Sequence, residues 1–98
     1  MNKQIILSYL KEHKEEFEDR FNVIKIGLFG SYSREEPTPN SDIDILIELK
    51  NKTENIYEKK KLLKEILEKE FKTKVDIARE KYLKPFARDE ILKDINYV

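Results

Sequence analysis

From Asp42 to Leu49 every second residue is aliphatic: Ile43, Ile45, Ile47 and Leu49. Successive side chains of a strand point to opposite faces, so this period of two predicts a strand with one buried face. Asp42, Asp44, Leu46 and Glu48 then share the other face. Val23-Ile24-Lys25-Ile26-Gly27-Leu28-Phe29, rich in β-branched and aromatic residues, predicts an earlier strand. Lys74-Val75-Asp76-Ile77-Ala78 predicts a short later one, with Val75 and Ile77 on one face and Asp76 on the other.

Helical spacing fills the rest. Ile6, Leu10, His13 and Phe17, three and four apart, form the stripe of a first helix that Asn2 can cap. His13, the only histidine, lies on that stripe and reads as half-buried, not catalytic. A long helix is expected from about Glu54 to Phe71, with Tyr57, Leu63, Ile66 and Leu67 toward the sheet. Its Lys59-Lys60-Lys61 run is surrounded by acids and reads as a solvated face. Pro85 suits the first turn of a last helix, with Phe86, Ile91, Leu92 and Ile95 available for packing. The tail Asn96-Tyr97-Val98 is expected on the sheet or at an interface. Pro37 and Pro39 make the connector 35–40 extended. The pattern implies an α/β (α+β) fold in one domain over residues 1–98. A small mixed sheet of three or four strands is backed by helices on one face, and the face carrying the carboxylates stays open.

Composition narrows the class. Hydrophobic residues make up 39% of 98, so the core is modest. Formal net charge is zero, which gives no global attraction to nucleic acid or anionic membranes. There is no cysteine, hence no disulfide framework and no thiolate metal site. No apolar run approaches membrane-spanning length and no signal-peptide pattern opens the chain, so the expected location is the cytoplasm.

The chemistry sits in two neighbouring segments. Gly30-Ser31-Tyr32-Ser33-Arg34 follows the first strand directly, and Ser41-Asp42-Ile43-Asp44 opens the next. Glycine permits close backbone approach, and a serine that opens a short helix leaves N–H groups that attract anions. Arg34 adds a cation one turn on. A lone D-x-D is more often a solvated strand face. After a glycine-serine turn, the two carboxylates fit a hard cation, best Mg²⁺, which shares its octahedron with water and substrate phosphates. Should the third strand lie beside the second, Asp76 reaches the same place, as a further ligand or as acceptor of a hydroxyl proton.

The pattern G-S-x-x-R, then S-D-x-D, then a later strand aspartate, resembles the nucleotidyltransferase superfamily with the DNA polymerase β-like core. Within it the chain looks like the minimal (MNT-type) nucleotidyltransferases, over nearly its whole length. That branch often reads G-S-x-A-R-G, where this chain has Ser33 and Glu35 in place of Ala and Gly. The resemblance implies that Gly30 and Ser31 hold the triphosphate, with Arg34 near phosphate or bracing the loop. It makes Asp42 and Asp44 the ligands of the catalytic metal, Mg²⁺ as two ions, with Asp76 as third acid. It implies transfer of AMP from ATP to a tyrosine of a partner HEPN-domain toxin, with the chain as antitoxin. A non-catalytic antitoxin acting by contact, or the nucleotidyltransferase subunit of a small-molecule enzyme, stays open as an alternative. So does assembly as a homodimer or a hetero-oligomer. Over these 98 residues no acceptor-gripping domain is read, so the acceptor is expected to be held by another polypeptide or across a dimer.

Overall fold

The first helix begins where its cap is satisfied: Asn2 Oδ1 accepts a hydrogen bond from the Ile5 amide at 3.0 Å. The computed structural model describes residues 1–98. Helix α1 spans Lys3–Glu12 and α2 spans Lys14–Phe21. Asn22, left-handed at φ 60°, closes α2 and turns the chain into strand β1, Val23–Phe29. Strand β2, Ile43–Leu49, precedes the long helix α3, Ile56–Phe71, and strand β3, Val75–Arg79. A 3₁₀ turn over Glu80–Tyr82 leads to helix α4, Pro85–Asp94, and the two-residue strand β4, Asn96–Tyr97. Pro85 stands in the first turn of α4, as its fixed φ favours.

The strands form one mixed sheet in the order β3-β2-β1-β4. β1 runs antiparallel to β2 and to β4, while β2 and β3 are parallel and joined by the α3 crossover. Ile43, Ile45, Ile47 and Leu49 are all buried, as their alternation requires. They pack with Ile26, Leu28 and Val75 against Ile6, Leu10, Phe17, Phe21, Leu63, Leu67 and Phe71 of the helices. Full burial of one such aliphatic side chain contributes about 1.5–3 kcal/mol, so this face supplies most of the stability.

Four expectations change. The stripe through Ile6, Leu10, His13 and Phe17 runs over two helices, because His13 leaves helical geometry at φ −100°, ψ 8°. Tyr57 is 80% exposed and does not face the sheet; the buried face of α3 is Leu63, Leu67 and Phe71. Phe86 is 84% exposed and stands outside the core, while Ile91, Leu92 and Ile95 are half-buried. The face carrying the carboxylates is also only partly open. Leu46, on that face, is fully buried.

Gly27, opposite Leu46 in β1, is where the tail lies closest. A Cβ there would stand 2.9 Å from Tyr97 Cδ1 and 3.0 Å from the Asn96 carbonyl. Gly27→Ala should therefore lift β4 from the sheet at a cost of about 1–2 kcal/mol. Faster amide hydrogen exchange at Val98, whose N–H bonds the Ile26 carbonyl, would report it.

Candidate active site

Strand β1 ends at Phe29 and the chain turns at once through Gly30, at φ +77°. An L-residue is strained there, and the Asp44 side chain would have to shift to admit one. A Cβ on Gly30 would lie 2.2 Å from Asp44 Oδ2. The glycine is thus the condition for placing the turn directly against the Asp44 carboxylate.

Residues 31–35 form a run of turns, not the short helix expected after Ser31. The Arg34 amide bonds the Gly30 carbonyl at 3.1 Å and the Glu36 amide bonds that of Ser31 at 2.8 Å. Glu35 then turns left-handed, at φ 60°, and Pro37 follows, so the coil stops after one turn. The N–H groups of Ser31, Tyr32 and Ser33 take no backbone acceptor. Three successive unpaired amides beside a glycine suit a phosphate. Glu35 occupies a conformation that costs a non-glycine residue about 1–2 kcal/mol. After the extra chain entropy of glycine is subtracted, Glu35→Gly should stabilise the fold by about 0.5–1 kcal/mol, read as a shift in the urea midpoint.

The turn is anchored from below. Tyr32 is buried in the core, and the Ser33 side chain is buried beside it. The Ser33 hydroxyl donates to the Asp94 carbonyl and accepts from Asn96 Nδ2 at 2.7 Å. It thereby satisfies a carbonyl left over at the end of α4. Arg34 reaches the same helix end, with Nη1 3.3 Å from Asp94 Oδ2, and its Nε lies 3.7 Å from Glu36. Ser33, Asp94 and Asn96 were not foreseen as part of the site. The only sequence signal was a serine where the resembling family has alanine.

The carboxylates come from adjoining strands. Asp44 lies opposite Phe29 of β1 on one side and opposite Asp76 of β3 on the other. Asp42 stands just before β2 begins. Burial pushes the Asp44 carboxyl up to about 6; Asp76 and then Asp42 push the same way, and Arg34 opposes them. Asp76 is exposed at the sheet's edge strand. No three acidic side chains stand close enough to enclose an ion by themselves. The excess negative charge nevertheless fits a hard cation that takes only one or two protein carboxylates and completes its shell with water and phosphate. The arrangement is chemically a phosphate turn abutting an acid cluster, which suits attack on a phosphoryl group.

The nucleotidyltransferase domain family matches residues 10–98. The chain is 38% identical over 95 residues to the protein adenylyltransferase MntA of Thermococcus cleftensis, covering 95% of this chain and 92% of that one. A solved candidate minimal nucleotidyltransferase superposes with a TM-score of 0.78 at 25% identity, covering 98% of this chain and 95% of its own. The complex of a tri-AMPylated Shewanella oneidensis HEPN toxin with its MNT antitoxin also shares the fold. It matches with a TM-score of 0.66 at 19% identity, over 97% of this chain and 70% of that one. No helix is long and apolar enough to cross a membrane. With the glycine-serine turn, the paired strand aspartates and the mixed four-stranded sheet all in place, the chain belongs to the nucleotidyltransferase domain family, in its minimal form.

Proposed function

We propose that this chain transfers AMP from ATP, with Mg²⁺, to a tyrosine hydroxyl of a HEPN-type partner, and acts as that partner's antitoxin. The observation that carries the chemistry is the abutment of Gly30 on Asp44, with Asp76 in register on the next strand. The relative MntA, a protein adenylyltransferase, and the fold shared with an MNT antitoxin bound to an AMPylated HEPN toxin support the acceptor.

In this reading the amides of Ser31, Tyr32 and Ser33 and the Ser31 hydroxyl hold the outer phosphates. Arg34, tied to Asp94, fixes the turn and lowers the negative potential near Asp44. Asp42, Asp44 and Asp76 would hold the divalent cations, two ions in the full site, with no more than two carboxylates on each and the rest of each shell from water and phosphate. Bound there, the cation supplies charge neutralisation for the phosphoryl oxygens and the departing pyrophosphate. Asp76, exposed at the sheet edge, accepts the proton of the attacking hydroxyl. A tyrosine with an ordinary pKa of ~10 needs such help at neutral pH. The hydroxyl oxygen bonds the α-phosphorus, and the bond to the α,β-bridging oxygen breaks.

The test is transfer of label from the α-phosphate of ATP, with Mg²⁺, to a HEPN-type protein of the same genome. Label on a tyrosine of that protein is the expected result. Stable binding of the partner with no label would replace catalysis with neutralisation by contact.

A further inference from the structure

Apart from Tyr32, Ser33 is the only buried residue with a polar side chain, and it lies inside the phosphate turn. Both partners of its hydroxyl belong to the C-terminal segment. The hydroxyl donates to the Asp94 carbonyl and accepts from Asn96 Nδ2 at 2.7 Å. Arg34, the next residue, reaches the Asp94 carboxylate at 3.3 Å. The two segments joined in this way are each weakly held on their own. Helix α4 buries no residue, and β4 is two residues long. The turn belongs to no helix or strand, and Tyr32 is its one side chain in the apolar core. Asn96 lies opposite Leu28 of β1, two residues before Gly30. The chain from Leu28 through the turn to Ser33 therefore closes on itself through Asn96. Where one contact orders two marginal segments, ordering either favours the other.

We infer that Ser33 and Asn96 are positioning residues, through which the C-terminal segment sets the affinity of the phosphate turn for the triphosphate of ATP. The inference rests on the reading of that turn as the triphosphate site. The amides of Ser31, Tyr32 and Ser33 can bind phosphate together only while the turn keeps its shape. Holding that shape in advance removes ordering entropy from the binding step. The coupling is reciprocal. Nucleotide on the turn should hold β4 on β1 by the same factor by which docked β4 tightens nucleotide.

Ser33→Ala is the direct test. It leaves the Asp94 carbonyl with a donor, since Asn96 Nδ2 also lies 3.3 Å from it. Strand β4 keeps its other ties, from the Val98 amide to the Ile26 carbonyl at 3.1 Å and from the Tyr97 hydroxyl to Glu80 at 3.0 Å. The ligand is the α,β-methylene analogue of ATP with Mg²⁺, which cannot release pyrophosphate. Calorimetry should show its affinity falling roughly three- to tenfold in the variant, the scale of one buried hydrogen bond. A hydroxyl that serves only the fold would lower the urea midpoint and leave the affinity of the folded protein unchanged. That result overturns the inference. Amide exchange reads the reciprocal half. In the wild type the analogue should slow exchange at Val98 more than at Lys50, whose amide bonds the Asn22 carbonyl at the far end of the sheet. In Ser33→Ala that excess should disappear. Equal slowing at both amides in the wild type, or an undiminished excess in the variant, overturns the coupling. A wild type that binds no analogue defeats the triphosphate site and the inference together. Affinity that falls in the variant, without AMP transfer to a HEPN-type protein, sinks the acceptor reading and leaves the inference standing.

Discussion

Asp44→Asn should abolish nucleotidyl transfer, by about a thousandfold or more (roughly 4 kcal/mol of barrier), and at the same time stabilise the fold. The two effects have one cause. Asp44 is half-buried between Asp76 and Asp42, and all three influences raise its pKa to about 6, well above the ordinary value of 3.8. A folded-state pKa raised above the unfolded one means that the native state prefers the protonated acid. That preference contributes stability fully below pH ~4, and the contribution is lost as pH rises through about 6. At pH 7 the ionised carboxylate is therefore a burden on the fold. The whole shift corresponds to about 3 kcal/mol. Solvent reaches half of the group, and screening reduces the figure to about 1 kcal/mol. Asparagine, which carries no charge, should raise the melting temperature by roughly 4–8 °C at pH 7. The gain should shrink below pH 5. Thermal melts of both proteins across pH 4–8, beside labelled-ATP assays, check both halves. A variant less stable than wild type at pH 7 would mean that Asp44 is held by attractive contacts, contrary to the acid cluster.

Such a cost is what a site selected for chemistry looks like, and it explains which parts of the protein were legible beforehand. The alternation of Ile43, Ile45, Ile47 and Leu49 forecast a buried face, and that face is the centre of the core. Hydrophobic burial is set by the residues themselves, so the periodicity carries it. The adjacency of Asp76 to Asp44 was conditional on strand order, and the parallel pairing supplies it. Features that rest on long-range contacts were less legible. Tyr57 and Phe86 read as packing residues by type, but no element comes to cover them. Leu46 lies among outward positions and is nevertheless buried on the face that the C-terminal tail approaches at Gly27. The expected helix after Ser31 is cut short at Glu35, whose left-handed turn no helix propensity forecasts. His13 interrupts the backbone while keeping the apolar stripe in phase, so periodicity alone runs straight through it.

Gly30→Ala should cost about 3 kcal/mol of stability and remove activity, and most of the loss should depend on Asp44. Two penalties are separable here. One is conformational: φ +77° disfavours any L-residue by about 1 kcal/mol relative to glycine, whatever the surroundings. The other is steric. A Cβ 2.2 Å from Asp44 Oδ2, and 3.1 Å from the carboxyl carbon, forces the carboxylate or the turn to move. Turning the carboxylate about its own axis does not relieve the contact, because the carboxyl carbon and the Asp44 Cβ, at 3.3 Å, stay in place. Replacing Asp44 by alanine removes the carboxyl group and leaves the conformational penalty with one 3.3 Å contact to the remaining Cβ. In the Asp44→Ala background, Gly30→Ala should therefore cost about 1 kcal/mol, giving a coupling of roughly 2 kcal/mol in the double-mutant cycle. Urea unfolding of the four proteins measures it, provided the denaturant slope stays constant. Additive losses would show that the turn does not press on Asp44 in solution. The contact would then be no guide to where a phosphate meets the acids, and the placement of the triphosphate at Gly30 would have to be abandoned.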